Sequence, residues 1–221
     1  MKRKFQHIAY LLMVAAVITS CGEKKQTSEF PDWAWADFQR PEGINPIVSP
    51  DTTTVFYCPM RQDSVAWESS DTFNPAATIY DGKVVVLYRA EDNSAVGIGS
   101  RTSRLGYAYS DDGLHFNRMT VPVFYPADDN QKELEWPGGC EDPRVAVTDD
   151  GLYVMLYTQW NRKQARLAVA TSRDLQIWEK YGPAFAKAYG GRFFDEFSKS
   201  ASIVTKLVDG KQVIAKIDGK Y

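Results

Sequence analysis

The sequence predicts an all-β fold made of repeated antiparallel units, arranged as the blades of a propeller. Three observations carry that expectation. Strand–turn–strand passages recur around Asp-Gly pairs, which favour tight hairpins. The passage from Leu105 to Phe116 returns from Leu167 to Trp178 with Leu, Ala, Ser, Asp and a closing aromatic in matching places. After residue 70 no stretch keeps a 3.6-residue apolar period over three turns, so long amphipathic helices are not expected there.

The hairpins follow in chain order. Thr78-Ile79-Tyr80 runs into Asp81-Gly82 and then Val84-Val85-Val86-Leu87-Tyr88. Residues 143–147 lead through Asp150-Gly151 to 152–157, and residues 202–208 lead through Asp209-Gly210 to 212–217. Strand-rich units repeating every ~60 residues suit blades of four antiparallel strands; a β-sandwich with accidental similarity is the alternative. Two blades fit within residues 71–190 and a third begins near Asp195, so residues 71–221 read as a partial propeller of about two and a half blades. Asp218-Gly219 then reads as one more turn. The expectation is an N-terminal part of a longer protein, inactive alone because its cavity lacks walls.

The N-terminus reads as an address. Lys2, Arg3 and Lys4 precede an apolar run over residues 8–18 and then Thr19 and Ser20, the pattern of a secretory signal peptide over residues 1–20. The run is short for a membrane span. Ile18-Thr19-Ser20-Cys21 resembles a bacterial lipobox, in which Cys21 is lipidated and begins the mature protein. Residues 21–70 are then a lipid-anchored tether, polar over 22–28, and an N-terminal extension. This predicts an exported, membrane-anchored lipoprotein, periplasmic or on the cell surface, touching the membrane only through its anchor. Export permits a disulfide between Cys58 and Cys140, but their spacing does not say whether they meet.

Composition narrows the chemistry. Of 221 residues, 26 are Lys or Arg and 28 Asp or Glu, a net charge of −2, which leaves no basic field for nucleic acid. Two histidines, His7 and His115, leave little for a Ser-His-Asp triad or a His-rich metal site. Neither a metal nor another cofactor is called for.

In a propeller the innermost strand of each blade faces a common channel. Asn74-Pro75 opens the first blade, Glu141-Asp142-Pro143-Arg144 the second, and Asp195-Glu196 with Ser198-Lys199-Ser200 the third. Carboxylates converging from different blades are what glycosidic bond cleavage needs, one group serving the leaving oxygen and one the nucleophile. Arg89 and Arg104 read two ways, as forks for sugar hydroxyls or as hairpin salt bridges. Trp136 and Trp160 read equally as sugar-stacking platforms or as packing.

Phe73-Asn74-Pro75-Ala76, Tyr88-Arg89-Ala90-Glu91-Asp92, Ser103-Arg104-Leu105-Gly106 and Gly138-Gly139-Cys140-Glu141-Asp142-Pro143-Arg144, with Leu156-Tyr157-Thr158 after them, resemble glycoside hydrolase family 130. The resemblance runs from about residue 70 to the end and implies a five-bladed β-propeller acting on β-mannosides of oligosaccharides, by hydrolysis or phosphorolysis. By position it implies Asp142 as the catalytic acid, with Asn74, Arg89, Asp92, Arg104 and Arg144 around the bound sugars; Glu141 and Lys199, at the blade openings, are further substrate-binding candidates. Where the phosphorylases place an Asn-Arg pair and later Arg-Pro for phosphate, this chain has Phe197-Ser198-Lys199-Ser200 and Ala215-Lys216-Ile217-Asp218. A lysine offers phosphate a point charge, not a planar fork. The run from Asp195 to Lys199 looks like the hydrolytic branch, with Glu196 as base and water in place of phosphate, in a single displacement with inversion. Rival expectations are a mannoside phosphorylase, which export disfavours, and a non-catalytic glycan-binding lipoprotein. A sialidase-like propeller, suggested by Ser110-Asp111-Asp112-Gly113, has its spacing to Phe116 one residue short.

Overall fold

The computed structural model describes residues 39–220. The expected signal peptide over residues 1–20, Cys21 and the polar stretch 22–28 lie outside the described residues. Residues from Glu42 onward form one compact unit, and the account below concerns that unit. It is all-β, with helix confined to single turns.

A short hairpin, β1 (Phe56–Cys58) and β2 (Asp63–Val65), precedes two antiparallel meanders. The first comprises β3 (Asp71–Tyr80), β4 (Lys83–Glu91), β5 (Ser103–Ser110) and β6 (Asn117–Arg118). One helical turn, α1 (Lys132–Glu135), leads into the second: β7 (Gly139–Val147), β8 (Tyr153–Trp160), β9 (Ala165–Ser172) and β10 (Glu179–Pro183). A last hairpin pairs β11 (Thr205–Val208) with β12 (Lys211–Ile214). Single parallel bridges join these units, Ser103 opposite Gly139 and Val213 opposite Val147. Among the described residues no sheet closes on itself.

The expected turns form, with one difference. Asp81 and Gly82 both take left-handed φ (49° and 73°), as do Asp209 and Gly210 (48° and 75°), matching the type I′ geometry that suits strand twist. Asp150-Gly151 instead sits in a longer loop, closed by Thr148 N–H donating to Leu152 O at 2.9 Å. The similarity between residues 105–116 and 167–178 has a physical basis. After β5 and after β9, a Ser hydroxyl (Ser110, Ser172) caps the same turn and donates to an Asp (Asp112, Asp174). That Asp accepts from the N–H groups two and three residues on. The Ser-x-Asp signature is therefore a structural turn, repeated once in each meander.

Two cores follow from the alternation along β4. Val85 and Leu87 face the second meander and pack with Leu105, Tyr107, Val145, Met155 and Tyr157. Val86, Tyr88 and Ala90 face the other way, onto Phe56, Cys58 and Trp67 of the N-terminal segment. A strand buried on both faces reads as a continuous apolar run, which is what Val84 to Tyr88 is. The meanders approach most closely at the glycine pair before Cys140. Ser103 N–H donates to Gly138 O at 2.8 Å, and a β-carbon on Gly139 would lie 2.2 Å from Ser103 O. The indole of Trp160 leaves equally little room above Gly138. Cys58 and Cys140 are free and buried, so the disulfide left open by the sequence is not formed.

Candidate active site

Strands β3 and β7, the first of each meander, carry the same irregularity. Pairing slips between Phe73 and Ala76 in one and between Glu141 and Arg144 in the other. Asn74 and Asp142 sit in these bulges at φ 45° and 51°. Each is followed by a proline, which a ladder tolerates at such an unpaired place. In a regular strand neighbouring side chains point to opposite faces. The bulge lets both Glu141 and Asp142 reach the same two cations, Arg89 and Lys199.

Arg89, on β4, is buried and binds three carboxylates. Its Nη2 lies 2.6 Å from Glu91 Oε1 and 2.9 Å from Glu141 Oε1, and its Nη1 donates to Asp142 Oδ1 at 3.1 Å. Nε donates to Ser103 Oγ, and the guanidinium lies 4.6 Å from the Phe73 ring centroid. Asn74 Nδ2 donates to Asp142 Oδ1 at 2.9 Å. On the open side, Lys199 Nζ lies 2.5 Å from Glu141 Oε2 and 3.2 Å from Asp142 Oδ2, with its side chain 42% exposed.

The two adjacent carboxyls are pushed in opposite directions. Burial raises Glu141, and Arg89 and Lys199 only partly oppose it, so it stays above the ordinary carboxyl value. Burial also acts upward on Asp142, but the Asn74 hydrogen bond and the charges of Arg89 and Lys199 outweigh it and hold the carboxyl low. Neighbouring acids split in this way are poised for different roles.

Other expected site residues lie apart from this cluster. Arg104 and Asp92 form a fully buried pair at 2.9 Å. Asp92 accepts from the N–H groups of Ser94 and Thr102, and Arg104 Nη2 lies 3.4 Å from Cys58 Sγ. The pair braces the loop after β4, apart from the Asn74–Asp142–Arg89–Lys199 cluster. Arg144 donates to Pro143 O at 2.7 Å and leaves Glu141 to the other cations. Glu196 is exposed, and no hydrogen bond or ion pair joins its carboxylate to Asp142. Trp160 donates to Gly99 O and covers Gly138, while Trp136 packs on the N-terminal core, so both act in packing.

Three residues of the cluster were not singled out by sequence: Glu91, Ser103 and Phe73. Hairpin register is the signal that finds them. Phe73 lies opposite Arg89, and Glu91 opposite Ser103.

A family profile described as β-1,4-mannooligosaccharide phosphorylase matches residues 39–221. The chain belongs to glycoside hydrolase family 130. Among family 130 relatives, the 1,2-β-oligomannan phosphorylase of Thermoanaerobacter sp. (strain X514) is 36% identical, over 67% of this chain and 46% of that protein. A structure from Bacteroides thetaiotaomicron, provisionally designated a glycosidase, is 99% identical with a TM-score of 0.84, over 87% of this chain and 55% of that one. Another is described under the statement that this family of mannoside phosphorylases contains glycoside hydrolases targeting β-1,2-mannosidic linkages in Candida mannan. It is 69% identical with a TM-score of 0.83, over 86% of this chain and 53% of that one. The chain thus spans about half the length of the curated relatives it matches.

Proposed function

We propose that this chain carries the acid side of a β-mannoside-cleaving site on a five-bladed propeller, and that cleavage is hydrolytic. The two meanders and the last hairpin would be successive blades. The observation that carries the reading is the Asn74–Asp142–Arg89–Lys199 cluster, in which one buried carboxylate is fixed by Asn74 and Arg89 and covered on its remaining side by the part-exposed Lys199. Asp142 would protonate the leaving-group oxygen. In the free site it is held ionised. Substrate entering between it and Lys199 would displace that cation and water, which raises the carboxyl's affinity for a proton. Glu141, held by Arg89 and Lys199, is too close to Asp142 to serve the opposite face of a sugar ring, where an inverting enzyme needs its base ~6.5–9.5 Å from the acid. Glu196, exposed and three residues before Lys199, is the proposed base.

Hydrolysis is favoured by Lys199, whose ammonium offers phosphate a point charge and no guanidinium fork, and by the description of the 69% identical structure. Phosphorolysis is the second reading, supported by the 36% identical relative and the family's description. The two separate on product analysis with β-mannobiose. Free mannose released at the same rate without phosphate supports hydrolysis, whereas strict dependence on phosphate with formation of a sugar phosphate establishes the second reading. The leader at residues 1–20 and the Ile18–Cys21 motif support a protein exported and held to a membrane by lipid at Cys21.

A further inference from the structure

Arg89 meets its partners on two sides of its guanidinium. Nε and Nη2 form one edge of the fork, and that edge is gripped on β4 and β5: Nε donates to Ser103 Oγ at 3.0 Å, and Nη2 lies 2.6 Å from Glu91 Oε1. The Ser103 hydroxyl donates in turn to the same Glu91 oxygen at 3.2 Å. The end of the fork, Nη1 with Nη2, faces Asp142 and Glu141. The strand ladder sets this arrangement. Arg89 and Glu91 are two residues apart on β4 and share a face, and Ser103 lies directly opposite Glu91. All three side chains are buried, and a planar guanidinium held along one edge is fixed in plane and direction.

Asp142 receives that aim on one oxygen. Oδ1 accepts from both Arg89 Nη1 and Asn74 Nδ2, at 3.1 and 2.9 Å. Oδ2 faces the part-exposed Lys199 at 3.2 Å. An oxygen already taking two N–H donors is a poor seat for a proton, so the proton of an acid here belongs on Oδ2. Charge is tuned as well as geometry. Arg89, Lys199 and the adjacent Glu141 act on Asp142 directly. Glu91 stands behind Arg89, and Arg101, paired with Asp71, lies 3.6 Å from the other Glu91 oxygen. Glu91 offsets part of Arg89's charge, so the guanidinium positions Asp142 without holding it so firmly ionised.

We infer that Glu91 and Ser103 are positioning residues for the acid: acting through Arg89, they keep Asp142 Oδ1 occupied, so that Oδ2 carries the proton to the leaving-group oxygen. The inference rests on the reading of Asp142 as the acid of a β-mannoside-cleaving site. In that step the O–H bond at Oδ2 breaks as one forms on the leaving-group oxygen, and the electron pair stays on the carboxylate between Arg89 and Asn74.

The test uses the full-length protein and two β-mannosides, one with a sugar and one with an activated aryl leaving group. Ser103→Ala should lower kcat on the first about fivefold, with KM within twofold, and change little on the second. Glu91→Gln keeps shape and an acceptor oxygen but removes the charge. Its kcat on the first substrate should fall about tenfold. The basic limb of its kcat/KM profile should also move to lower pH, because an unopposed Arg89 favours ionised Asp142, whereas Ser103→Ala should leave that limb in place. Equal losses on both substrates at every pH, in step with a fall in Tm, mark a merely structural role and overturn the inference. Wild-type kcat in both variants overturns it as well. If Glu91→Gln does not fold, the leaving-group dependence of Ser103→Ala decides. Asp142→Asn is the control: a loss there that ignores the leaving group overturns the acid reading itself. A leaving-group-dependent loss in Asp142→Asn with none in the other two variants overturns only the roles of Glu91 and Ser103.

Discussion

Asn74 donates a hydrogen bond of 2.9 Å to Asp142, and the two residues occupy matching left-handed bulges in β3 and β7. The relationship makes Asp142→Asn an unusually clean substitution, since Asn accepts that backbone conformation and is already used at the matching position. It keeps the size of the side chain while removing the exchangeable proton and, in the free site, the negative charge that faces Arg89 and Lys199. Turnover of a mannoside with a poor leaving group should fall by ~10²-fold or more, and less with an activated aryl leaving group. Steady-state kinetics on both substrates check this, and an equal loss on both would leave Asp142 as a binding group only.

The pH dependence of stability has a definite sign. Asp142 in the fold titrates below its ordinary value of 3.8, because Asn74, Arg89 and Lys199 outweigh its burial. Its contribution is therefore complete above the ordinary value and is lost as pH falls through the lower folded value. The Tm gap between wild type and Asp142→Asn should be constant at neutral pH and narrow below about pH 4. A gap that stays constant to pH 2 would refute this account.

Arg89 is the residue whose loss should cost the fold most. Removing it leaves Glu91, Glu141 and Asp142 buried without their common cation, a change worth about 3–5 kcal/mol. Arg89→Met should show that loss in urea titration, and Arg89→Lys should recover little, since one ammonium does not reproduce a fork shared among three carboxylates. Near wild-type stability in Arg89→Lys would show that charge alone suffices.

Two glycines with left-handed φ make a contrasting pair. Gly151 (φ 82°) has open space around it, so Gly151→Ala should cost about 1 kcal/mol from backbone strain. Gly139 (φ 116°) meets the Ser103 backbone at 2.2 Å, so Gly139→Ala should cost several times more and separate the two meanders. Comparable Tm losses in the two variants would argue against this contact.

Anchoring is checked by fractionation. Cys21→Ala should move the protein from the membrane fraction to the soluble one, and a wild-type protein already soluble and free of lipid would contradict the lipobox reading.

Much of the fold was legible because it rests on local chemistry. Asp-Gly pairs specify type I′ turns at residues 81–82 and 209–210, and Ser110 and Ser172 announce the same capped turn. The site was legible in part. Asn74, Glu141 and Asp142 stand at strand openings, and the structure brings them together with Lys199 in one cluster. Arg104 and Arg89 look alike in sequence, each charged at the end of an apolar strand. Only the strand register shows that Arg89 faces the cluster while Arg104 turns inward to Asp92. Glu196 carries no local signal that fixes where its carboxylate points, and the structure leaves it exposed.

Cys140 is the residue immediately before the Glu141-Asp142 pair, and it is completely enclosed. Burial, with the nearby Glu135 carboxylate, pushes its thiol well above the ordinary range, so in the closed fold it is unreactive toward alkylating agents. It becomes reactive only when β7 lifts from its neighbours. The alkylation rate of this sulfur is thus an internal clock for how often the carboxylate pair loses its support, and ligands that tighten the site should slow it.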